Sequence, residues 1–309
     1  MYYKNIADLN DIILKRLSII PHDIDLIVGI PRSGMLPANL LALYLNKPYT
    51  DLDSFINGHI YNAGARSKTF NPAASNKVLI VDDSLGSGSA LNKSKAKLEA
   101  VSGKYELRYC AIYVAPGTEK MVDYYFDVVA LPRFFQWNIL NHPSLEKACF
   151  DIDGVLCVDP TEDVNDDGEK YIEFIKNAPP LYIPGNKIGA LVTSRLEKYR
   201  SETQQWLNDH GVKYDELIML DLPDKEARVK AGSHAEHKAK AYLAKPYTLF
   251  VESNLQQAAH INALTQKPVF CTENFEMVYQ SQSFVYNIKS GKYLPFLRKY
   301  ALRIRDMIK

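Results

Sequence analysis

The sequence predicts an α/β protein built from two doubly wound, Rossmann-like domains with mainly parallel sheets. Short apolar runs rich in β-branched residues alternate with helical patterns along most of the chain, as they do in βαβ units. The alternation starts afresh near the middle, and 309 residues exceed the roughly 100–200 residues of a typical single domain. Apolar residues make up 47% of the chain and charged residues 24%, which is ordinary for a folded protein.

The first half, expected to form a domain over residues 1–140, contains four strand candidates. These are IDLIVGI (24–30), KVLIVDD (77–83), RYCAIYV (108–114) and DVVAL (127–131). Helical spacing of apolar residues lies between them, for example over 35–45 and 89–100. Because the strands alternate with helices, we expect them to be parallel, with their carboxyl ends at one edge of the sheet.

The second half, expected to form a domain over residues 141–288, repeats the pattern. Its strand candidates are ACFDID (148–153), IGALVTS (188–194), ELIML (216–220), TLFVES (248–253) and PVFCT (268–272). Helices are expected over 198–210, 235–243 and 255–264. The join between the two halves, PRFFQWNILNHPSLEK (132–147), is aromatic and lacks a Gly/Ser-rich spacer, so it is not typical of a flexible linker.

Composition excludes several classes of protein. Lys and Arg number 37 against 36 Asp and Glu, and this formal charge of +1 argues against a dedicated nucleic-acid binder. The four cysteines have no C-x-x-C spacing, which indicates neither a disulfide framework nor a zinc site. The beginning, MYYKNIADLNDII, lacks an apolar signal core, and no run approaches the ~20 apolar residues of a membrane span. We therefore expect a cytoplasmic protein.

The last 21 residues, 289–309, form a basic segment with helical apolar spacing. Seven Lys and Arg stand against one Asp, so the segment carries +6 and the rest of the chain −5. A basic amphipathic helix of this kind can lie on an anionic membrane surface, which would place the protein at the inner face of the membrane. It can equally dock on the acidic remainder, and the sequence leaves both alternatives open.

A strand, an acid pair and a small-residue loop follow one another in KVLIVDDSLGSGSAL (77–91). Asp82 and Asp83, at the carboxyl end of the strand, can accept hydrogen bonds from ribose hydroxyls and help to hold Mg²⁺. The amides of a loop that opens a helix can bind a phosphate, helped by glycines and hydroxyls. The phosphate-binding candidates are Ser84, Leu85, Gly86, Ser87, Gly88 and Ser89. A plain strand–turn–helix with N-capping Ser and Asp is the alternative.

A second candidate loop, VGIPRSG (28–34), follows the first strand and precedes a helix. The Arg32 side chain and the backbone of Ser33 and Gly34 would bind a diphosphate there, again at a helix N-terminus. An ordinary βα turn is the alternative explanation for this loop. A non-functional explanation must, however, account for both loops at once.

The two loops together resemble the signatures of type I phosphoribosyltransferases, with Ser87 and Ser89 in place of the usual threonines. The resemblance implies that the first domain binds phosphoribosyl diphosphate with Mg²⁺ and that Asp82 and Asp83 belong to the catalytic site. It also implies a mobile hood over residues 58–70, where Arg66 and Lys68 either neutralise diphosphate oxygens or are solvated loop charges.

The segment CFDIDGVLCVDP (149–160) places Asp151 and Asp153 one residue apart at the end of an apolar strand, and Gly154 supplies a turn. It resembles motif I of haloacid-dehalogenase-like (HAD) phosphatases. The resemblance implies that Asp151 is a nucleophile that forms an aspartyl-phosphate, and that Asp153 protonates the leaving oxygen and then activates water.

The other motifs of that family follow in order. Thr193, with Ser194 as the second choice, would bind the phosphoryl group, and Lys238 is preferred to Lys240 as the lysine that neutralises it. Glu252 would hold Mg²⁺ together with Asp151 and the Asp153 carbonyl, although many relatives have two aspartates where this chain has Glu252, Ser253 and Asn254. An inert relative is therefore the alternative. Only 39 residues separate Asp153 from Thr193, so we expect no large cap domain.

The order of the two domains resembles fused proteins of bacterial capsule and O-antigen gene clusters. The resemblance implies transfer of 5-phosphoribosyl from phosphoribosyl diphosphate to a glycan hydroxyl, with a lipid-linked glycan as the expected acceptor, followed by removal of the 5-phosphate to leave a β-ribofuranosyl residue. Two alternatives remain open: a nucleobase phosphoribosyltransferase fused to a nucleotidase, and a non-catalytic regulator that binds phosphoribosyl diphosphate.

Overall fold

The computed structural model of the chain describes residues 1–61, 70–71, 76–232 and 234–278. The chain divides into two compact units, the first over residues 1–138 and the second from residue 139 onward, whereas the boundary expected from sequence follows residue 140. Arg66, Lys68 and the basic tail over residues 289–309 lie outside the described residues.

The first unit is an α/β fold with a five-stranded parallel sheet. Its strands are β1 (Tyr2–Lys4), β2 (Leu26–Gly29), β3 (Tyr49–Asp51), β4 (Lys77–Leu85), β5 (Glu106–Val114), β6 (Tyr124–Val128) and β7 (Arg133–Phe135). Its helices are α1 (Ile6–Arg16), α2 (Met35–Leu45), α3 (Leu52–Ile56) and α4 (Ser89–Leu98). The strand order in the sheet is β3-β2-β4-β5-β6, and β1 pairs with β7 in a separate parallel ribbon.

Helices cover both faces of this sheet, which explains why β4 is apolar without alternation. Leu79 and Val81 pack into a core with helices α1 and α2, while Val78 and Ile80 pack into a second core with α3 and α4. A strand buried on both faces reads as a continuous apolar run because neither set of side chains meets water.

The second unit is also α/β, with a six-stranded sheet. Its strands are β8 (Ala148–Phe150), β9 (Ile188–Leu196), β10 (Tyr214–Leu220), β11 (Leu249–Glu252), β12 (Val269–Cys271) and β13 (Glu276–Val278). Its helices are α5 (Glu169–Asn177), α6 (Arg200–Asp209), α7 (Lys225–Ala231), α8 (His234–Ala244) and α9 (Leu255–Thr265). The strand order is β10-β9-β8-β11-β12-β13, and only β13 is antiparallel to its neighbour.

The α/β class and the mainly parallel sheets are as predicted from sequence. Four strands, β1, β3, β7 and β13, have no counterpart among the predicted strands, because three residues are too few to show a periodicity. The strand expected over residues 127–131 lies instead at Tyr124–Val128, where it forms the sheet edge and buries Phe126 on one face. In the part of the chain that the structure describes, no helix is long and apolar enough to cross a membrane.

Candidate active sites

In each unit the predicted site residues lie where the strand order reverses. In the first unit the chain passes from β2 outward to β3 and then returns to β4 on the other side of β2. In the second it passes from β8 to β9 and β10, and then to β11 on the other side of β8. Such reversals open a crevice at the carboxyl ends of parallel strands, and ligands of open α/β sheets bind there.

The turn after β2 lies against the end of β4. The Ile30 amide donates to the Val81 carbonyl at 2.8 Å. A Cβ on Gly34 would lie 2.6 Å from the Ile30 carbonyl oxygen and 2.7 Å from the Val81 carbonyl oxygen. Because these contacts are to backbone atoms, only glycine fits here. The turn that carries Arg32 and Ser33 is thereby held beside the acid pair of β4.

Asp83 is held in place by hydrogen bonds. Its side chain is buried, with Ser33 Oγ donating to Oδ1 at 2.9 Å and Trp137 Nε1 donating to Oδ2 at 2.6 Å. Both carboxylate oxygens therefore have a donor, and the indole of Trp137 stacks on Phe135 with ring centroids 5.0 Å apart. Asp83 is fixed in orientation before any ligand arrives.

Asp82 is the less engaged member of the pair. Its Oδ1 accepts the Asp83 amide at 2.9 Å, and within the described ranges it has no salt bridge. Burial, followed by the nearby charge of Asp83, raises the pKa of Asp82 to about 8. A bound cation would offset that repulsion.

The donor chemistry of this acid pair fits Mg²⁺. The ion prefers oxygen ligands and is commonly held by one or two carboxylates together with substrate phosphates and water. Asp82 and Asp83 are the residues that would hold it. When bound, the ion would neutralise negative charge on a phosphate-bearing ligand.

Arg32 is exposed at the front of its turn, and its Nη2 donates to Asn138 Oδ1 at 2.6 Å. Arg133 lies deeper, with Nη2 donating to the Leu85 carbonyl at 2.8 Å and Nη1 to the Val129 carbonyl at 2.9 Å. The segment from Arg133 to Asn138 therefore forms hydrogen bonds with both predicted loops. From the sequence, this segment was predicted only to join the two domains.

The loop after β4 is shorter than predicted. Strand β4 continues through Ser84 and Leu85, which pair with Tyr113 and Val114 of β5, so these two residues lie in the sheet and the loop begins after them. Leu85 buries its side chain in the core. Of the two loop glycines, Gly88 has a positive φ of 83° and Gly86 does not. Ser87 and Ser89 are exposed and remain available to a ligand.

In the second unit, Asp151 follows the central strand β8 and is only 6% exposed. Lys238 Nζ of helix α8 donates to Asp151 Oδ2 at 2.6 Å, to Glu252 Oε2 at 2.7 Å and to Gln257 Oε1 at 3.1 Å. Strand β8, helix α8 and strand β11 thus bring together residues far apart in sequence. Lys240, the other candidate lysine, is exposed.

Charges in this cluster shift each other's protonation. Burial raises the pKa of Asp151 to about 7, although the Lys238 ammonium opposes the shift. Burial disfavours the charge on Lys238, but Asp151 and Glu252 outweigh it and raise the lysine's pKa above its ordinary value. Lys238 is therefore a permanent cation.

Asp153 forms a salt bridge with Arg195, a residue that no motif had pointed to. Arg195 Nη2 donates to Asp153 Oδ1 at 2.6 Å, and Nε lies 3.1 Å from Oδ2. The Arg195 side chain is fully buried, whereas that of Asp153 is 17% exposed. Arg195 follows Thr193 and Ser194 at the end of β9. In the sequence, only its position as a charged residue in an otherwise apolar strand indicated that it needs a buried partner.

Gly154 makes the turn after Asp153 possible. Its φ of 71° is in the left-handed region, and a Cβ there would lie 2.4 Å from the Ser253 side chain. Ser253 Oγ in turn donates to the Asp153 carbonyl at 3.3 Å. The turn thus brings the end of β8 against the residue that follows β11.

Thr193 and Ser194, the first and second choices for binding a phosphoryl group, differ in their access to the cavity. Thr193 is fully buried, and its Oγ1 accepts the Arg195 amide at 3.1 Å. Ser194, the second choice, lines the cavity at this edge of the sheet. Strand residues point alternately to opposite faces, so only one of two neighbours can face the cavity.

The cavity has a volume of about 480 Å³. The residues that line it include Asp151, Asp153, Ser194, Lys225, Arg228 and Lys238. Between β8 and β9 the described chain adds one helix, α5, and no cap domain.

The second predicted Mg²⁺ site fits only in part. Asp151 and Asp153 line the cavity and offer oxygen ligands, as Mg²⁺ prefers. Glu252 is fully buried, with Oε2 bound to Lys238 and Oε1 accepting the Ser253 amide at 3.0 Å, so it supports Lys238 and does not face the cavity as a ligand. Over the described residues, no three His, Cys, Asp or Glu side chains form a metal-binding group. Asp151 and the Asp153 carbonyl would hold the ion, and water and substrate oxygens would complete its coordination shell.

Comparison with known proteins assigns the first unit. Residues 2–143 match the sequence profile of the phosphoribosyl transferase domain. The first unit is a phosphoribosyltransferase domain. The match spans slightly less than half of the chain, and the second unit lies almost wholly beyond it. No curated protein matches the chain in sequence.

Solved structures similar to this chain include three phosphoribosyltransferases. A purine phosphoribosyltransferase from Pyrococcus horikoshii OT3 is 20% identical, with 44% of this chain and 93% of that chain covered and a TM-score of 0.32. A xanthine-guanine-hypoxanthine enzyme from Helicobacter pylori is 15% identical, with coverages of 45% and 93% and a TM-score of 0.33. An orotate enzyme from Aeropyrum pernix is 20% identical, with coverages of 40% and 69% and a TM-score of 0.29.

The phosphoribosyltransferase domain brings together four of the residues that were predicted for its site. Asp82, Asp83, Arg32 and Ser33 lie within one connected network, joined by Trp137 and Asn138, which sequence reasoning had not assigned to the site. In the sequence these two residues form a Trp-Asn pair shortly after two phenylalanines. That pattern is as typical of packing between elements as it is of a binding site.

Proposed function

We propose that the chain is a bifunctional enzyme that transfers 5-phosphoribosyl from phosphoribosyl diphosphate to a glycan hydroxyl and then hydrolyses the 5-phosphate. The phosphoribosyltransferase domain supplies the first activity. The observation that carries the second is the Lys238 ammonium between the Asp151 and Glu252 carboxylates, next to a cavity in the second unit. The product is a β-ribofuranosyl residue on the glycan.

In the transfer step, the acceptor hydroxyl attacks C1 of the donor from the face opposite the diphosphate. The bond from C1 to the acceptor oxygen forms, the bond from C1 to the diphosphate breaks, and the hydroxyl proton passes to water. Asp82 binds ribose hydroxyls, Asp83 holds the geometry through Ser33 and Trp137, and Arg32 with the loop amides binds the diphosphate. Positioning and neutralisation of the leaving group provide the rate enhancement.

In the hydrolysis step, Asp151 attacks the phosphorus of the 5-phosphate. The P–O bond to the sugar breaks, and Asp153, whose carboxylate is paired with Arg195, relays a proton from a water molecule to the departing oxygen. The hydroxide formed from that water attacks the aspartyl-phosphate, and the bond from phosphorus to Asp151 breaks to free the carboxylate and inorganic phosphate. Lys238 neutralises Asp151 before and after the reaction, and Arg195 fixes the Asp153 carboxyl.

The combination of the two activities favours a glycan over a nucleobase as acceptor. A phosphatase attached to a nucleobase phosphoribosyltransferase would destroy the nucleotide it had just formed. On a glycan the 5-phosphate is left over from the donor and is not needed in the product. Its hydrolysis removes the product of the reversible transfer and so drives the transfer toward completion. An open cavity without a cap domain in the described chain also suits a bulky substrate.

The test is release of diphosphate by the purified full chain with phosphoribosyl diphosphate, Mg²⁺ and a panel of acceptors. We expect release to depend on a lipid- or fluorophore-linked oligosaccharide and to stop in EDTA. Release that depends on a purine or pyrimidine base would establish the nucleobase alternative. Binding of the donor without release with any acceptor would establish the regulator.

A further inference from the structure

The cavity of the second unit contains two cations that the hydrolysis step above does not use. Lys225 and Arg228 of helix α7 line it together with Asp151 and Lys238. The three ammonium hydrogens of Lys238 meet Asp151, Glu252 and Gln257, so none of them is left over for a phosphate in this structure. Since its single charge already faces two carboxylates, the two negative charges of a phosphate dianion call for further cations.

Arg195 is not one of these further cations. It is fully buried, and its guanidinium is engaged by Asp153, Thr203 Oγ1 and Cys157 Sγ. The charges of Arg195 and Asp153 cancel each other. The charge of Lys238 cancels that of one of the two carboxylates it contacts. The cations that remain at the cavity are on α7, along with His234, whose pKa is lowered by burial and by the charges of Lys238 and Arg228.

Both α7 cations contact only neutral acceptors over the described residues. Arg228 Nη1 lies 3.5 Å from the Ser194 carbonyl and Nη2 lies 3.3 Å from Asn165 Oδ1, two long contacts. The Lys225 ammonium donates to the Asn165 carbonyl. Guanidinium and ammonium groups at a cavity ordinarily meet an anion, because their desolvation is costly without one.

Two buried donors at the same cavity are unsatisfied. Arg228 Nε and Ser194 Oγ are inaccessible to water and have no hydrogen-bond partner within the described part of the chain. Both residues line the cavity. A buried donor without a partner costs free energy, so the position of two such donors at one cavity indicates a missing acceptor.

We propose that Arg228, Ser194 and Lys225 form the phosphate-binding subsite of the second unit and that its ligand is the dianion of a phosphate monoester. The subsite rests on the proposed hydrolytic function, since it lies beside Asp151. Arg228 presents Nε and an Nη to phosphate oxygens, the bidentate arrangement that suits guanidinium groups, and Ser194 donates its hydroxyl. Lys225 adds positive charge.

The experiment measures hydrolysis of p-nitrophenyl phosphate by the full chain and its competitive inhibition by inorganic phosphate. In Arg228→Met we expect KM and the inhibition constant of phosphate to rise on the order of 10- to 100-fold, as for loss of a hydrogen-bonded charge. Ser194→Ala should raise both about two- to tenfold, as for a neutral donor. Arg228→Lys should recover part of the loss.

Lys230→Met is the matched control, because Lys230 is an exposed cation on the same helix that does not line the cavity. It should behave as the wild type, and all variants should keep the wild-type thermal unfolding temperature. An inhibition constant unchanged in Arg228→Met overturns the subsite. If the wild type does not hydrolyse the ester, or if Asp151→Asn still does, the proposed hydrolytic function fails, and the subsite fails with it.

Discussion

At the scale of single residues, the two units handle buried carboxylates differently. In the second unit Asp151, Asp153 and Glu252 each have a buried cation within hydrogen-bond distance. In the first unit Asp82 and Asp83 have hydrogen-bond donors but form no salt bridge within the described residues. The first site therefore has no cation of its own opposite its two acids, and a bound cation would favour the ionised form of Asp82, whereas the second site has much of its charge balanced in advance.

The raised pKa of Asp82 should make the stability of the protein depend on pH. Its pKa is about 8 in the folded protein against an ordinary 3.8, so between these values the folded state keeps a proton that the unfolded chain releases. Stability should then fall as pH rises from about 4 to 8. Asp82→Asn, measured by thermal unfolding in EDTA at pH 5, 6.5 and 8, should flatten this fall and raise the Tm at pH 8 by on the order of a few degrees. Parallel curves for variant and wild type would show that Asp82 is not the group responsible.

Removal of Arg195 should destabilise the second unit strongly. Arg195→Met leaves Asp153 as a mostly buried carboxylate without its cation, and the expected loss in the free energy of unfolding is roughly 3–5 kcal/mol. Urea denaturation of the single variant and of Arg195→Met/Asp153→Asn measures it. The double variant should recover part of the loss, because the unpaired charge is gone. Equal losses in both would mean that packing, and not charge, is responsible.

At the scale of elements, the donor site depends on how closely the turn after β2 approaches β4. Gly34→Ala would place a methyl group 2.6 Å from the Ile30 carbonyl oxygen, so the turn must move away from Asp83. We expect at least a roughly tenfold weaker affinity for phosphoribosyl diphosphate, in line with other misplaced binding groups, and a lower Tm.

Gly103→Ala is the control for this substitution, because Gly103 is exposed in the turn before β5 and belongs to neither predicted loop. A Cβ on Gly103 would meet no atom within 4 Å, and the residue has no positive φ, so the affinity and Tm of this variant should stay close to those of the wild type. Titration calorimetry with the donor measures the affinity of both variants, and thermal unfolding measures their Tm. A loss in Gly103→Ala equal to that in Gly34→Ala would show that the close approach is not the cause.

Much of the element pattern could be predicted from sequence because strands buried on both faces and amphipathic helices leave a strong periodicity. The end of β4 could not, since Ser84 and Leu85 read as loop residues until their pairing with β5 is known. The choice between Thr193 and Ser194 likewise depends on which face of β9 meets the cavity, and both faces of that strand are largely buried. A one-residue difference in register changes the face and leaves the composition unchanged.

At the scale of the whole molecule, motif order predicted which residues would gather in each unit, but not what balances their charge. Arg195, Arg228 and Trp137 have no motif of their own. They reach the sites through strand ends, a short helix and the segment after β7. Such partners depend on tertiary packing, and a single sequence records them only as isolated charged or aromatic residues.

The proposed function requires that two reactions occur in order on one acceptor, and mass spectrometry of that acceptor distinguishes their products. The full chain, with donor, Mg²⁺ and an oligosaccharide acceptor, should yield a pentosyl product, and Asp151→Asn should accumulate the phosphopentosyl product. An acceptor that gains no pentose in either protein, or the same dephosphorylated product in both, would contradict the proposed order of transfer and hydrolysis.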